Sequence, residues 1–182
     1  MSQEPRVVTP NAPRPLLDRI ALRIPPFLID HAATRFATMP PGSPLRRRVF
    51  KRFLRRSFDA HARKDVEIAQ LAYEPDMELS LSGADGLGLA ERYSGHQGWH
   101  DLIGDIYESF GEPRYTVKRV LDGGDRLVFE FEFAAMGNTS AAPVTLSVGT
   151  VVFFSPRGKV ERQDMFWQDG WPQALEAAGL SE

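Results

Sequence analysis

The feature that most limits what this chain can fold into is a change of hydrophobic period after about residue 112. Before it, apolar residues mostly recur at helical spacing. After it they alternate, in Arg114–Leu121, Arg126–Ala134, Pro143–Phe154 and Lys159–Trp167, which predicts four strands. Asp122-Gly123-Gly124-Asp125 and Ser155-Pro156-Arg157-Gly158 have the composition of hairpin turns. Helices followed by a strand meander give an α+β order and not an alternating α/β one.

The helical half is ordered by its caps and breakers. Leu16–Leu22 is a short helical pattern ending before Pro25-Pro26, and Phe27–Met39 is a second, stopped by Pro40-Pro41-Gly42. Ser43 as N-cap and Pro44 in the first turn open the clearest helix of the chain. Val49, Phe50, Phe53, Leu54, Ser57, Phe58 and His61 form its apolar stripe, while Arg46, Arg47, Arg48, Lys51, Arg52, Arg55 and Arg56 occupy the rest. Val66–Tyr73 continues helically until Pro75. Met77–Leu81 is a short strand, Ser82–Glu91 a Gly-rich loop, Trp99–Phe110 a helix, and Trp171–Leu180 closes the chain, with Gly179 as a helix C-cap. Residues 1–15 read as a Pro-rich disordered tail. The expected division is an N-terminal tail and helical arm over 1–43 and a folded body over 44–182.

Composition removes several function classes. The chain has no Cys, so disulfides, thiolate metal sites and a thiol nucleophile are absent. No run approaches the roughly 18 apolar residues of a spanning helix, and the N-terminus lacks a signal-peptide core, so a cytoplasmic protein is expected. The four His follow no metal-ligand spacing, and neither a GxGxxG nor a GxSxG pattern occurs, so no metal and no cofactor are expected. The net charge of −2 hides an asymmetry: residues 1–64 carry 14 Lys/Arg against 4 Asp/Glu, the remainder 8 against 20. The basic helix face is read as solvated. Nucleic acid or membrane contact through it is not expected, because no aromatic residues interleave its cations.

Three landmarks coincide in order. A helix ends at Ala60-His61-Ala62-Arg63-Lys64-Asp65 and leads to Glu74-Pro75-Asp76-Met77-Glu78. Tyr93-Ser94-Gly95-His96-Gln97-Gly98-Trp99 opens a second helix. Gly158-Lys159-Val160-Glu161-Arg162 then runs towards Asp169, with Ala174 to Leu180 behind it. In this order and spacing the chain resembles the SnoaL-like, ketosteroid-isomerase-like branch of the nuclear transport factor 2 superfamily. The resemblance implies a strongly curved antiparallel sheet wrapped around helices, a cone with an apolar pocket, and pairing into a homodimer through the outer sheet face. Such proteins include isomerases, cyclases, epoxide hydrolases and dehydratases as well as non-catalytic binding domains, so the fold does not settle the reaction.

An ionisable residue facing an apolar interior is the chemistry to seek, because desolvation makes a carboxyl a usable acid or base near neutrality. On the last strand Val160, Arg162, Asp164 and Phe166 share one face and Glu161, Gln163, Met165 and Trp167 the other. If the first face is inward, Asp164 is a candidate base for proton removal beside a carbonyl, with Arg162 able to pair it and His61 a candidate proton relay opposite. If the second is inward, Gln163 and Trp167 line the pocket instead. Phe129, Phe131 and Phe133 should point in and Glu130 and Glu132 out. Phe58, Tyr73, Tyr93, Trp99, Phe110, Phe129, Phe131, Arg162 and Phe166 are the expected lining, and Tyr73, Tyr93 or Tyr107 could polarise a carbonyl. The function expected is a pocket for a hydrophobic small molecule. Catalysis is left open: the alternatives are an isomerase, cyclase or dehydratase using a pocket carboxylate, and an interaction module whose basic helix meets an acidic partner.

Overall fold

The structure, a computed structural model, describes residues 12–168 and 170–180. Most of the expected N-terminal tail, residues 1–11, lies outside the described residues. The elements in order are α1 (Leu16–Ala21), α2 (Pro26–Ala37), α3 (Pro44–Ala62), α4 (Val66–Gln70), β1 (Tyr73–Ser82), β2 (Arg92–Ser94), α5 (Gly95–Ser109), β3 (Phe110–Asp122), β4 (Arg126–Gly137), β5 (Pro143–Phe154), β6 (Val160–Phe166) and α6 (Trp171–Ala178). No helix among the described residues is long and apolar enough to cross a membrane.

The strands form one curved, unclosed sheet in the order β2-β1-β6-β5-β4-β3. The meander β3 to β6 is antiparallel as expected, with Asp122–Asp125 and Ser155–Gly158 as its hairpin turns. The expected curved antiparallel sheet has one parallel seam, because β6 returns beside β1 and pairs with it in parallel. Alternation along each strand cannot distinguish the two pairings; only the path between them does.

Two further boundaries differ from the sequence pattern. Tyr73 belongs to β1, not to a helix, and Pro75 sits inside the strand. Register jumps there, from Tyr73 opposite Val160 to Glu78 opposite Arg162, and a bulge tolerates a residue that has no N–H to donate. Arg92–Ser94, between the Gly-rich loop and α5, pairs antiparallel with β1, an edge strand too short to show a period.

The concave face of the sheet packs on α3 and α5 in one core containing Phe50, Leu54, Met77, Leu79, Trp99, Leu102, Phe129, Phe131 and Phe133. Glu130 and Glu132 lie on the other face, paired with Arg119 at 2.7 Å and Lys118 at 3.0 Å. On that convex face α6 makes a second cluster, with Trp171, Ala174 and Leu175 against Val128 and Val151. The approach is close enough that a Cβ on Gly149 would overlap the backbone carbonyl of Gly170.

The N-terminal helices are fastened to this body by buried charge. Arg46, expected on the solvated face of α3, is instead fully buried. Its guanidinium donates to the carbonyls of Ala37 (3.1 Å) and Met39 (2.8 Å), to Gly124 O, and to the Asp122 carboxylate (3.1 Å). It thereby caps the end of α2 at Ala37 and the turn that follows it, and ties that end to the β3–β4 hairpin. Asp18 of α1 accepts from Arg56 and Arg63, and Arg14 reaches Asp65.

Candidate functional site

The apolar stripe of α3 lies over the middle of the sheet, where its residues meet inward side chains from α5 and from the sheet. Phe53, Leu54, Ser57, Phe58 and His61 come from α3, Trp99 and Ile106 from α5, and Tyr73 from β1. Tyr115, Phe129, Phe131, Val152, Gln163, Met165 and Trp167 come from the strands β3 to β6 and the residue after β6. The void they enclose is about 30 Å³, room for a water or two and far below a drug-sized pocket. Aromatic rings occupy the rest. Phe58 stacks on Tyr115 with centroids 5.1 Å apart, and Trp99 lies 4.7 Å from His61 and 4.8 Å from Tyr73. Phe53, Ser57, Phe58 and Tyr115 are the lining residues left partly exposed, so the way in runs between α3 and β3.

Polar atoms punctuate this wall, and most have nothing to bond. Both ring nitrogens of His61, the indole N–H groups of Trp99 and Trp167, and the Tyr115 hydroxyl are buried without a hydrogen-bond partner among the described residues. A buried polar atom left unpaired costs about 1–3 kcal/mol, so four such side chains around one void are a large departure from ordinary packing. By contrast, the Tyr73 hydroxyl donates to Gln163 Oε1 at 3.1 Å. Burial pushes the His61 imidazole down to about 3 and raises the Tyr73 and Tyr115 hydroxyls above the ordinary tyrosine value. The wall is therefore neutral near pH 7: two donors that cannot accept, one hydroxyl, and an imidazole that offers one donor and one acceptor. That set can orient or polarise a carbonyl.

Among the sequence candidates, His61, Phe58, Tyr73, Trp99, Phe129 and Phe131 converge on this wall. Asp164, Arg162 and Phe166 do not, and the expectation that Asp164 serves there is corrected by the sheet's register. Gln163 pairs with Leu79 and Val152, both core residues, so the odd-numbered positions of β6 face inward. Asp164 faces the convex side, 8 % exposed, accepting from Ser80 Oγ at 2.7 Å and from Arg162 at 2.6 Å. The sheet itself separates it from His61, which removes the proposed relay between them. Phe166 packs with α6 on the outer face. Tyr93 and Phe110 are core residues away from the wall; Tyr93 donates to Asp105 at 2.6 Å and Phe110 packs edge-on to Phe133. The Tyr107 hydroxyl, pushed up to about 12 chiefly by burial, is engaged by the carbonyl of Ala62 at 2.8 Å. Among the described lining residues there is no carboxylate.

Sequence reasoning missed Tyr115 and Ser57 as wall residues. Tyr115 stands within a recognised strand, but register alone puts it opposite Phe133 and beneath Phe58. Among the described residues no three or more His, Asp or Glu side chains come together as a metal site.

A family model described as a SnoaL-like domain matches residues 54–163. No curated protein matches the chain. Solved structures share the fold at low identity. A nuclear transport factor 2-like protein from Burkholderia pseudomallei is 18% identical with a TM-score of 0.58, covering 69% of this chain and 94% of its own. TerC, crystallised with polyporic acid, is 19% identical with a TM-score of 0.56, covering 69% and 96%. SalBIII, an epoxide hydrolase/cyclase-like enzyme of pyran ring formation in salinomycin, is 14% identical with a TM-score of 0.52, covering 65% and 90%.

Proposed function

Because this chain belongs to the SnoaL-like domain family, we propose that it binds a flat, largely apolar small molecule bearing carbonyl-type acceptors in the cavity beneath α3. The observation that carries this reading is the set of unpartnered polar atoms on His61, Trp99, Tyr115 and Trp167 around one aromatic void. All four of these side chains offer a donor, and acceptors on a ligand supply what they lack. A void of about 30 Å³ admits no such molecule as it stands. Binding therefore displaces rings, and the half-buried Phe58–Tyr115 stack at the mouth is the pair that moves. The neighbours support a small-molecule cavity: TerC was crystallised with polyporic acid, and SalBIII is described as epoxide hydrolase/cyclase-like.

The test is a thermal-shift screen of planar aromatic carbonyl compounds, followed by titration of Trp fluorescence. Ligands should raise the melting temperature and change the emission of Trp99 and Trp167. Tyr115→Phe should weaken binding about tenfold, the loss of one hydrogen bond. No stabilisation across steroid, polyketide, terpene and fatty-acid panels would sink the proposal.

A second reading, proton transfer on a carbonyl substrate, is favoured by His61 alone. Its imidazole stands neutral on the wall with Tyr115 at 5.5 Å between ring centroids, base beside hydroxyl. A base whose conjugate acid titrates at about 3 is a weak one at neutrality, which is why binding ranks above turnover. His61→Gln tests it: a catalytic imidazole predicts turnover lost with ligand affinity kept, and unchanged turnover rejects the role.

A further inference from the structure

Helix α1 is turned inside out. Its one acidic residue, Asp18, is 3 % exposed, held by Arg56 at 2.5 Å and Arg63 at 2.6 Å. At about 100° per residue the side opposite Asp18 carries Leu16 and Ile20, with Leu17 on its flank, and all three are exposed. The chain beyond adds Ile24, Phe27 and Leu28, also exposed, Phe27 at 67 %. A helix of six residues does not persist on its own hydrogen bonds. Here the ion-pair fork fixes which side faces out, and that side is apolar. Single exposed apolar residues need no explanation, but six within residues 16–28 on a docked arm mark a contact surface.

The arm also lies along a row of cations. It runs antiparallel to α3, from Asp18 beside Arg56 to Met39 beside Arg46. At about 100° per residue Arg48 and Arg52 are the exposed cations of that stretch nearest the arm side of α3, which Arg46 and Arg56 mark, and the arm adds Arg19 and Arg23. None of the four forms an ion pair with a described residue. Residues 65–182 carry the opposite balance, 8 Lys/Arg against 20 Asp/Glu.

We infer that the α1–α2 arm and the adjoining face of α3 form a peripheral docking surface for an anionic lipid bilayer. Cations beside exposed aliphatic and aromatic side chains match an interface in which headgroups meet the arginines and the acyl boundary takes the leucines. A nucleic acid uses the cations but leaves Leu16, Ile20 and Phe27 in water. The acidic body is repelled by the same bilayer, which orients the molecule arm-down. The cationic face of α3 has no interleaved aromatics of its own, and the apolar component comes from α1 and α2.

The test is flotation of the full chain with phosphatidylcholine vesicles, with and without about 30 mol% phosphatidylglycerol. The chain should float with the anionic vesicles and at least about tenfold less with the neutral ones, and raising salt from about 50 to 500 mM should release most of it. The variants Leu16→Ser/Ile20→Ser/Phe27→Ser and Arg19→Gln/Arg48→Gln/Arg52→Gln change exposed residues and should melt like the parent. Each should float about tenfold less or worse. No flotation with anionic vesicles overturns the inference. So does an apolar triple variant that floats like the parent, which means charge alone acts. Retention on heparin without flotation indicates a polyanion partner. Salt-sensitive self-association without flotation indicates a second copy, its acidic body against this basic face. Either result also overturns the inference.

Discussion

Asp164 and His61 show how much one side chain's face decides. On the convex side Asp164 is occupied by Ser80 and a half-exposed Arg162. Asp164→Asn should leave ligand affinity unchanged and cost no more than about 1 kcal/mol, the worth of a solvent-screened pair. A titration in which that variant loses binding would return Asp164 to the pocket. His61 carries a pH dependence whose sign is fixed. Its folded value of about 3 lies below the ordinary 6.5 because burial disfavours the imidazolium. The unfolded chain thus takes up the proton first. The stabilisation is whole above pH 6.5 and is lost as pH falls towards 3. At about pH 4.5 the loss is roughly 2–3 kcal/mol. Urea unfolding of the parent and of His61→Leu, each at pH 7 and 4.5, should show that share missing in the variant. Equal losses would mean that the imidazole is not buried as a neutral base.

At the scale of elements, Arg46 joins three pieces of chain that its helix would otherwise leave apart. It bonds the Ala37 carbonyl at the end of α2 and that of Met39 just beyond, bonds the Asp122 carboxylate and contacts the turn at Gly124. Arg46→Met keeps much of the stem's packing against Phe36 and Phe50 but strands a carboxylate and several carbonyls. A loss of about 2–4 kcal/mol is expected from buried groups left unpaired, read from denaturant midpoints. A variant as stable as the parent would show the arm to be held by other contacts. The sequence pattern put Arg46 with six other cations on a solvated face. Periodicity gave it no reason to differ, since the partners lie 76 and 78 residues away in sequence. The same limit applies at Pro75. A proline after a helical run reads as a stop, and only the parallel neighbour β6 makes room for it as a bulge.

For the whole molecule, the charge asymmetry becomes a polarity of shape: a cationic flank on α3 and the arm, and acidic residues across the rest. The convex face of the sheet is divided. Helix α6 covers Val128 and Val151, while β3 and β4 present ion pairs such as Lys118 with Glu132. We expect two copies to pair across that polar part, giving a wet interface that leaves the arm and the pocket mouth open. Sedimentation equilibrium at micromolar concentration should return twice the chain mass of 20.4 kDa, and a monomer there refutes the pairing.

The sequence by itself determined the class of fold, most of the elements and the inward phenylalanines, because alternation and helical stripes are local records of which side meets water. Phe129, Phe131 and Phe133 against Glu130 and Glu132 carry that record plainly. For β6 it was ambiguous, since Gln163 and Asp164 are both polar and neither face of Val160–Phe166 is wholly apolar. Tertiary structure decided the matter through register: pairing with Leu79 and Val152 turned Gln163 inward and Asp164 out. A shift of one residue would have reversed every side chain on that strand, and no local pattern encodes which neighbour a strand will meet. The same pairing put Gln163 among the aromatic lining residues and kept the Asp164 carboxylate off that wall.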